Sequence, residues 1–225
     1  TLRNVIRDQY ISSEILSYDD NQDNLQKKLN DVDITKLKIV HGHYFFGIHE
    51  HLQRPFSYFT ILRHPIERVL SLYYYLKSIN GKKYDVYRKM TLDEFIEKKI
   101  EENIQTAYLS GSNTQPSILK ATRNLHRYFD VVGTTENFDE TLYLIGKRYG
   151  WKNLHYNRVN VTKSRLSSKE ISEKTKKLIR KVHHKDLLLY KYAQKKLTIQ
   201  IRKLDEHERK ELEQFKKAQL TLESK

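Results

Sequence analysis

Apolar residues recur along this chain in two spacings: short β-branched or aromatic runs, and longer stretches in which Leu, Ile, Val and Tyr return every three or four positions. The short runs predict strands at 36–40, 57–62 and 130–132, the last closing on Gly133. The longer stretches predict helices at 1–9, 23–30, 65–78, 92–99, 102–109, 116–128, 138–149 and 169–182. Gly150 stands where the 138–149 helix should stop, and turn residues gather at 17–22, 80–83 and 110–115. Strands alternating with helices in this way predict an α/β protein with a parallel sheet. From 186 to 225 there is neither Gly nor Pro, so that segment reads as one long C-terminal helix or two in line. Its apolar stripe (Leu197, Ile199, Ile201, Leu204, Leu212, Phe215, Leu220) is too broken for heptads. We expect a domain over 1–195 and a helical extension over 196–225 that is exposed or forms a homo-oligomer contact.

Within this pattern, one corner has the chemistry of an anion site. The strand ending at Leu62 runs into Arg63-His64-Pro65-Ile66-Glu67-Arg68-Val69-Leu70-Ser71-Leu72-Tyr73. Pro65 suits a first helical turn, where its missing N–H costs nothing. Arg63 then sits at the strand's end, beside a helix start that carries free N–H groups and partial positive charge. Ser71, two turns in, is expected to face back toward that start. Tyr73, Tyr74 and Tyr75 cannot share a helix face, so some belong to the core.

His41-Gly42-His43 follows the strand at 36–40 and is placed at the same sheet edge as Arg63. With His49 and His51 these form two His-x-His pairs, open to three readings. They are ligands of a transition metal, structural rings hydrogen-bonded under a helix, or, for His43, a general base with a pKa near neutrality. Gly42 allows close backbone approach.

Arg63-x-Pro65-x-x-Arg68-x-x-Ser71-x-Tyr73, after an apolar strand and downstream of His41-Gly42-His43, resembles the carbohydrate O-sulfotransferases that use 3'-phosphoadenosine 5'-phosphosulfate (PAPS). The likeness is greatest to heparan sulfate and uronyl 2-O-sulfotransferases. It extends more loosely through Val132-Gly133-Thr134-Thr135-Glu136, the segment 160–166 and Asp186-Leu187-Leu188-Leu189-Tyr190, covering about residues 1 to 195. The resemblance implies a three-layer α/β/α, P-loop-like fold with a central parallel sheet. It gives Arg63 and Ser71 to the nucleotide 3'-phosphate, and Thr162 and Arg165 (with Lys163 and Ser164 as the alternative register) to a loop over adenosine 3',5'-bisphosphate. It also makes His43 the base with His41 as an orienting partner, and puts Lys82, Lys83 and Arg88 against the acceptor sugar. No metal is expected. The family opens with a strand and a loop of the form Pro-Lys-Thr-Gly-Gly-Thr that holds the 5'-phosphosulfate, and the sequence given starts downstream of it. The expectation is truncation, with impaired catalysis.

Composition narrows the partners. The 42 Lys and Arg against 28 Asp and Glu give a net charge of +14, which favours polyanions without choosing among polysaccharide, nucleic acid, lipid or nucleotide. The expected acceptor is an acidic or neutral glycan, with no specific nucleic acid. Cysteine is absent, excluding disulfides, thiolate metal sites and cysteine nucleophiles, and favouring a reducing, cytoplasmic compartment over the Golgi lumen. No apolar run is long enough to span a membrane, and the start is not a signal peptide. Two rivals remain: a non-catalytic polyanion-binding module, and a kinase-like phosphotransferase, for which a loop lysine and magnesium carboxylates are missing.

Overall fold

The computed structural model describes residues 1–19, 25–157 and 166–223. In chain order its elements are α1 (Leu2–Gln9), β1 (Ile15–Asp19), α2 (Leu25–Asn30), β2 (Ile39–His43), β3 (Tyr58–Leu62), α3 (Pro65–Ser78), α4 (Asp85–Lys89), α5 (Leu92–Glu97), α6 (Ile104–Ser110), α7 (Ile118–Arg127), β4 (Phe129–Thr134), α8 (Phe138–Tyr149), α9 (Glu173–Val182), α10 (His184–Arg202) and α11 (Glu206–Glu223). This is the expected α/β alternation. Helices α3 and α8 begin and end where the sequence pattern puts them, the first because Pro65 opens it and the second because Gly150 closes it in a left-handed conformation (φ 71°).

Among the described residues the strands form two parallel pairs that are not hydrogen-bonded to each other. β1 lies beside β2 with Ile15 opposite Ile39 and Asp19 opposite His43. β3 lies beside β4 with Leu62 opposite Thr134. The remaining edges of β2 and β3 line one cavity of about 860 Å³. β1 corrects the sequence reading, which put a loop at 17–22. Leu16 and Tyr18 are buried and Ser17 between them is exposed, a half-buried alternation that its turn-forming residues disguise.

Val5 and Ile6 of α1 are buried with Ile39, Leu142 and Ile145, so this helix has both a strand and a helix to pack on. The β3–β4 pair sits so close to α8 that Gly133 leaves no room for a side chain: a Cβ there would lie 1.9 Å from Thr141 Cγ2. Between α5 and α6 the residues Lys99, Glu101 and Asn103 all have positive φ, so α5 stops earlier and α6 starts later than their apolar spacing predicts.

The C-terminal segment is neither a single long helix nor an exposed tail. α10 runs through residue 195, and a break at 203–205 separates it from α11, which folds back on α8. Leu204 and Leu212 are buried, and the Tyr143 hydroxyl donates to Glu211 Oε2 at 2.9 Å. The break is a reciprocal cap in which Glu208 N–H donates to Asp205 Oδ1 at 2.8 Å and Asp205 N–H to Glu208 Oε2 at 2.9 Å. Among the described residues no helix is long and apolar enough to cross a membrane.

Candidate functional site

β2 and β3 run in from their own partners and deliver their carboxyl ends to the shared cavity, so His41, Gly42, His43 and Arg63 all line it, joined by Arg68, Gln105 and Tyr108. Pro65 at the first helical position and Arg63 just outside it follow directly from the sequence of the corner. Two side chains from elsewhere hold that corner. The Gln105 amide accepts the Arg63 N–H (2.8 Å) and donates to the Arg63 carbonyl (3.0 Å), while Glu136 Oε1 accepts the His64 N–H at 2.9 Å. Glu136 is fixed in turn by the Tyr190 hydroxyl, which donates to Oε2 at 2.9 Å. A carboxylate therefore already meets one of the N–H groups at the start of α3.

His43 is largely exposed at the end of β2, its side chain 72% accessible, with Nδ1 3.6 Å from Asp19 Oδ2. Asp19 is its register partner in β1, so the strand hidden from sequence reasoning supplies the carboxylate beside the histidine. The Tyr108 ring lies 6.2 Å from the imidazole, centroid to centroid. His41 is half-buried, and burial, followed by the charges of Arg3 and Arg7 from α1, pulls it below the ordinary histidine value, which favours the neutral ring. Gly42 (φ 150°) is required for close approach: an added Cβ would fall 1.7 Å from the Tyr18 carbonyl oxygen.

Arg68, quoted in the motif but given no role there, also lines the cavity, as do Lys38, Arg54 and Arg148. Arg68 pairs with Glu101, and its Nη1 is buried with no hydrogen-bond partner among the described residues. A guanidinium nitrogen in that condition is costly unless an acceptor reaches it. Ser71 is half-buried one turn beyond Arg68 and on the same face of α3, but it is not among the residues lining the cavity.

Lys82, Lys83 and Arg88 do not line it either. The two lysines are exposed, and the Arg88 guanidinium is bound to the Gly81 carbonyl at 3.3 Å, to the Ile79 carbonyl and to Asp85. Thr162 and Arg165, with Lys163 and Ser164, lie outside the described residues. Tyr73 is core, its hydroxyl donating to the Met90 carbonyl at 2.9 Å, and Tyr75 is exposed.

His49 has a structural post. Its Nδ1 is 2.8 Å from the Tyr58 hydroxyl and its ring stacks on Phe56 at 4.0 Å. Among the described residues no group of three or more His, Cys, Asp and Glu side chains is arranged to hold a metal ion.

One histidine absent from the sequence reading, His183, lies near Arg68. His183 is 2% exposed, its Nδ1 accepting the Asn103 N–H at 3.4 Å, and burial, with Arg68 as a lesser influence, pulls its pKa down to about 4. The folded value lies below the ordinary 6.5, so as pH falls the unfolded chain takes up this proton first. Stability present above pH 6.5 is thus lost on acidification, about 2 kcal/mol by pH 5. Asp186, which burial raises, contributes in the opposite sense, so the comparison that isolates the histidine is His183→Gln. Urea unfolding at pH 7 and pH 5 should show a smaller loss in that variant than in the parent.

Compared with known families, residues 7–193 match the Sulfotransferase family, a span that includes β1 to β4, the three histidines that line the cavity (His41, His43 and His49) and the whole Arg63 to Ser71 motif. No curated protein matches the chain significantly. By that match over most of its length, the chain belongs to the sulfotransferase family.

Proposed function

We propose that this enzyme transfers the sulfuryl group of PAPS to a hydroxyl of a carbohydrate acceptor, with His43 as general base. Family membership supports sulfuryl transfer over the binding-module and kinase-like alternatives. The observation that carries the finer reading is the meeting of His43 and Arg63, from two different strand pairs, in one cavity of about 860 Å³. In this reading the two pairs are halves of one parallel sheet in a three-layer α/β/α fold, with β2 and β3 as the facing edges.

The residues present suit a phosphorylated nucleotide. Arg63 and Arg68 both belong to the lining, and the Arg68 Nη1, which has no partner among the described residues, needs an acceptor such as a phosphate oxygen. PAPS, when bound, supplies a sulfuryl group already attached to a good leaving group. Arg63 and Ser71 are the proposed holders of its 3'-phosphate, and Thr162 and Arg165 of its bisphosphate. His43 takes the proton of the acceptor hydroxyl as it attacks, and Asp19 orients the ring and steadies the imidazolium that results. His41, kept neutral beside Arg3 and Arg7, is left to hydrogen-bond the acceptor rather than to carry charge. Lys82 and Lys83 are the proposed contacts for an anionic sugar. Arg88 holds the loop that presents them, through the Ile79 and Gly81 carbonyls.

Calorimetric titration with adenosine 3',5'-bisphosphate tests the nucleotide site. Arg63→Ala should weaken binding by about 10- to 150-fold, the range expected for a charge-assisted phosphate contact. Unchanged affinity would remove Arg63 from the site. Sulfuryl transfer from PAPS to a non-carbohydrate hydroxyl, with none to a panel of neutral and acidic glycans, would remove the carbohydrate acceptor.

A further inference from the structure

α6 is a short helix of 7 residues that starts from a left-handed residue, Asn103 (φ 49°), whose side chain does not cap it. The N–H groups of its first turn still need acceptors. A neighbouring helix provides them: Asp186 Oδ2 accepts the Gln105 N–H at 3.3 Å, and Oδ1 accepts the Thr106 N–H at 2.7 Å and the Thr106 hydroxyl at 2.8 Å. Asn103 reciprocates, its Oδ1 accepting the Lys185 N–H at 2.9 Å and the Asp186 N–H at 3.1 Å in the first turn of α10. Each helix caps the other, with Asn103 3% and Asp186 1% exposed.

From the end so fixed, Gln105 reaches the Arg63 peptide with both ends of its amide, at 2.8 Å to the N–H and 3.0 Å to the carbonyl. A side chain bonded to both polar backbone groups of one residue reproduces the pairing that a strand neighbour would give. Arg63 needs that substitute, because the β3–β4 ladder ends one residue earlier, at Leu62 opposite Thr134. Beyond it Pro65 brings no N–H, and the Glu136 contact to the His64 N–H is the next fixed point.

We infer that Gln105, locked by the Asn103–Asp186 cross-cap, is a positioning residue that sets the direction in which Arg63 presents its guanidinium to the cavity. Gln105 lines the cavity, yet both ends of its amide are committed to the Arg63 backbone, so it acts through the arginine and not on the ligand. The inference rests on the reading of Arg63 as a ligand of the nucleotide phosphate. Its value to the enzyme is preorganisation: a guanidinium aimed in advance loses less freedom when the anion arrives.

The test is a double-mutant cycle on the intact protein, read by calorimetry with adenosine 3',5'-bisphosphate and by thermal unfolding. Gln105→Leu should weaken binding roughly 5- to 30-fold, on the order of two net hydrogen bonds lost from an ordered arginine. Gln105→Glu, which keeps the acceptor for the Arg63 N–H and loses the donor to its carbonyl, should fall between Gln105→Leu and the parent. Combined with Arg63→Ala, Gln105→Leu should cost no further affinity. Wild-type affinity in Gln105→Leu, or losses that add in the double variant, overturns the inference while leaving Arg63 in place. Unchanged affinity in Arg63→Ala alone brings down the nucleotide site and the inference together. Should Gln105→Leu fail to fold, wild-type affinity in Gln105→Glu is the overturning result.

Discussion

Replacing His43 by alanine should lower the rate of sulfuryl transfer by roughly 10²- to 10⁴-fold, the usual contribution of a positioned base, while adenosine 3',5'-bisphosphate binds as tightly as before. The two effects separate because the groups come from different elements. His43 ends β2 and lies beside Asp19 of β1, whereas Arg63 and Arg68 belong to the β3–α3 corner, braced by Gln105 and Glu136. An imidazole left 72% accessible makes few packing contacts, so its removal should leave the fold intact. His41→Ala should cost less in rate, because that ring is withdrawn from solvent toward α1. Initial rates with PAPS and a glycan acceptor, set beside calorimetry, decide the matter. A variant that retains full activity excludes His43 as base. One that loses nucleotide affinity in step with activity makes it a binding residue instead.

The corner that carries the proposed anion site was legible because its determinants are adjacent in the chain. A β-branched run, an arginine, a proline at the first helical position and an amphipathic stretch specify strand, turn and helix with no help from distant residues. What supports the corner was not legible. Gln105 lies 42 residues from Arg63, and Asp186 a further 81 from Gln105, so only the folded chain shows that an amide and a buried carboxylate are linked to that peptide. β1 escaped notice because Ser17 and Asp19 look like turn residues, although alternate burial is what defines the strand. The break before α11 does have a local signal, the acidic pair Asp205 and Glu208 in capping-box spacing, but without Gly or Pro the segment reads equally as one long helix or as two in line.

The same contrast separates the two classes of site residue. His43 ends β2, His41 lies two residues before it and Arg63 follows β3 directly, so short apolar runs in the sequence mark all three, and all three line one cavity. Lys82, Lys83 and Arg88 sit beyond the end of α3, where no periodicity dictates direction. The fold spends Arg88 on satisfying the Ile79 and Gly81 carbonyls, the kind of helix-end debt that a cation settles well. A sequence reading sees charge there but not the carbonyls that absorb it.

Gly133→Ala should destabilise the protein by about 3–5 kcal/mol, combining the cost of overpacking with the loss of buried hydrogen bonds. The argument is one of space. The added Cβ would lie 1.9 Å from Thr141 Cγ2 and 2.2 Å from its Oγ1, and Thr141 is fully buried. Thr141 cannot rotate away without loss, since its hydroxyl donates to the Asn137 carbonyl at 2.7 Å and accepts the Thr134 N–H at 3.2 Å. Either β4 or α8 must then move. Gly150→Ala is the informative control, because Gly150 has a left-handed φ of 71° but open space around its Cβ position, and so should cost only about 1 kcal/mol of backbone strain. For a chain of this size the two variants should differ in Tm by roughly 5–15 °C. The effect should also reach the anion site, because β4 runs directly into the turn that carries Glu136, whose carboxylate holds the His64 N–H at the start of α3. Gly133→Ala that folds should therefore bind adenosine 3',5'-bisphosphate more weakly than Gly150→Ala. Equal Tm values for the two would mean that α8 does not rest on β4 at the distance described, and the route from that packing to Arg63 would go with it.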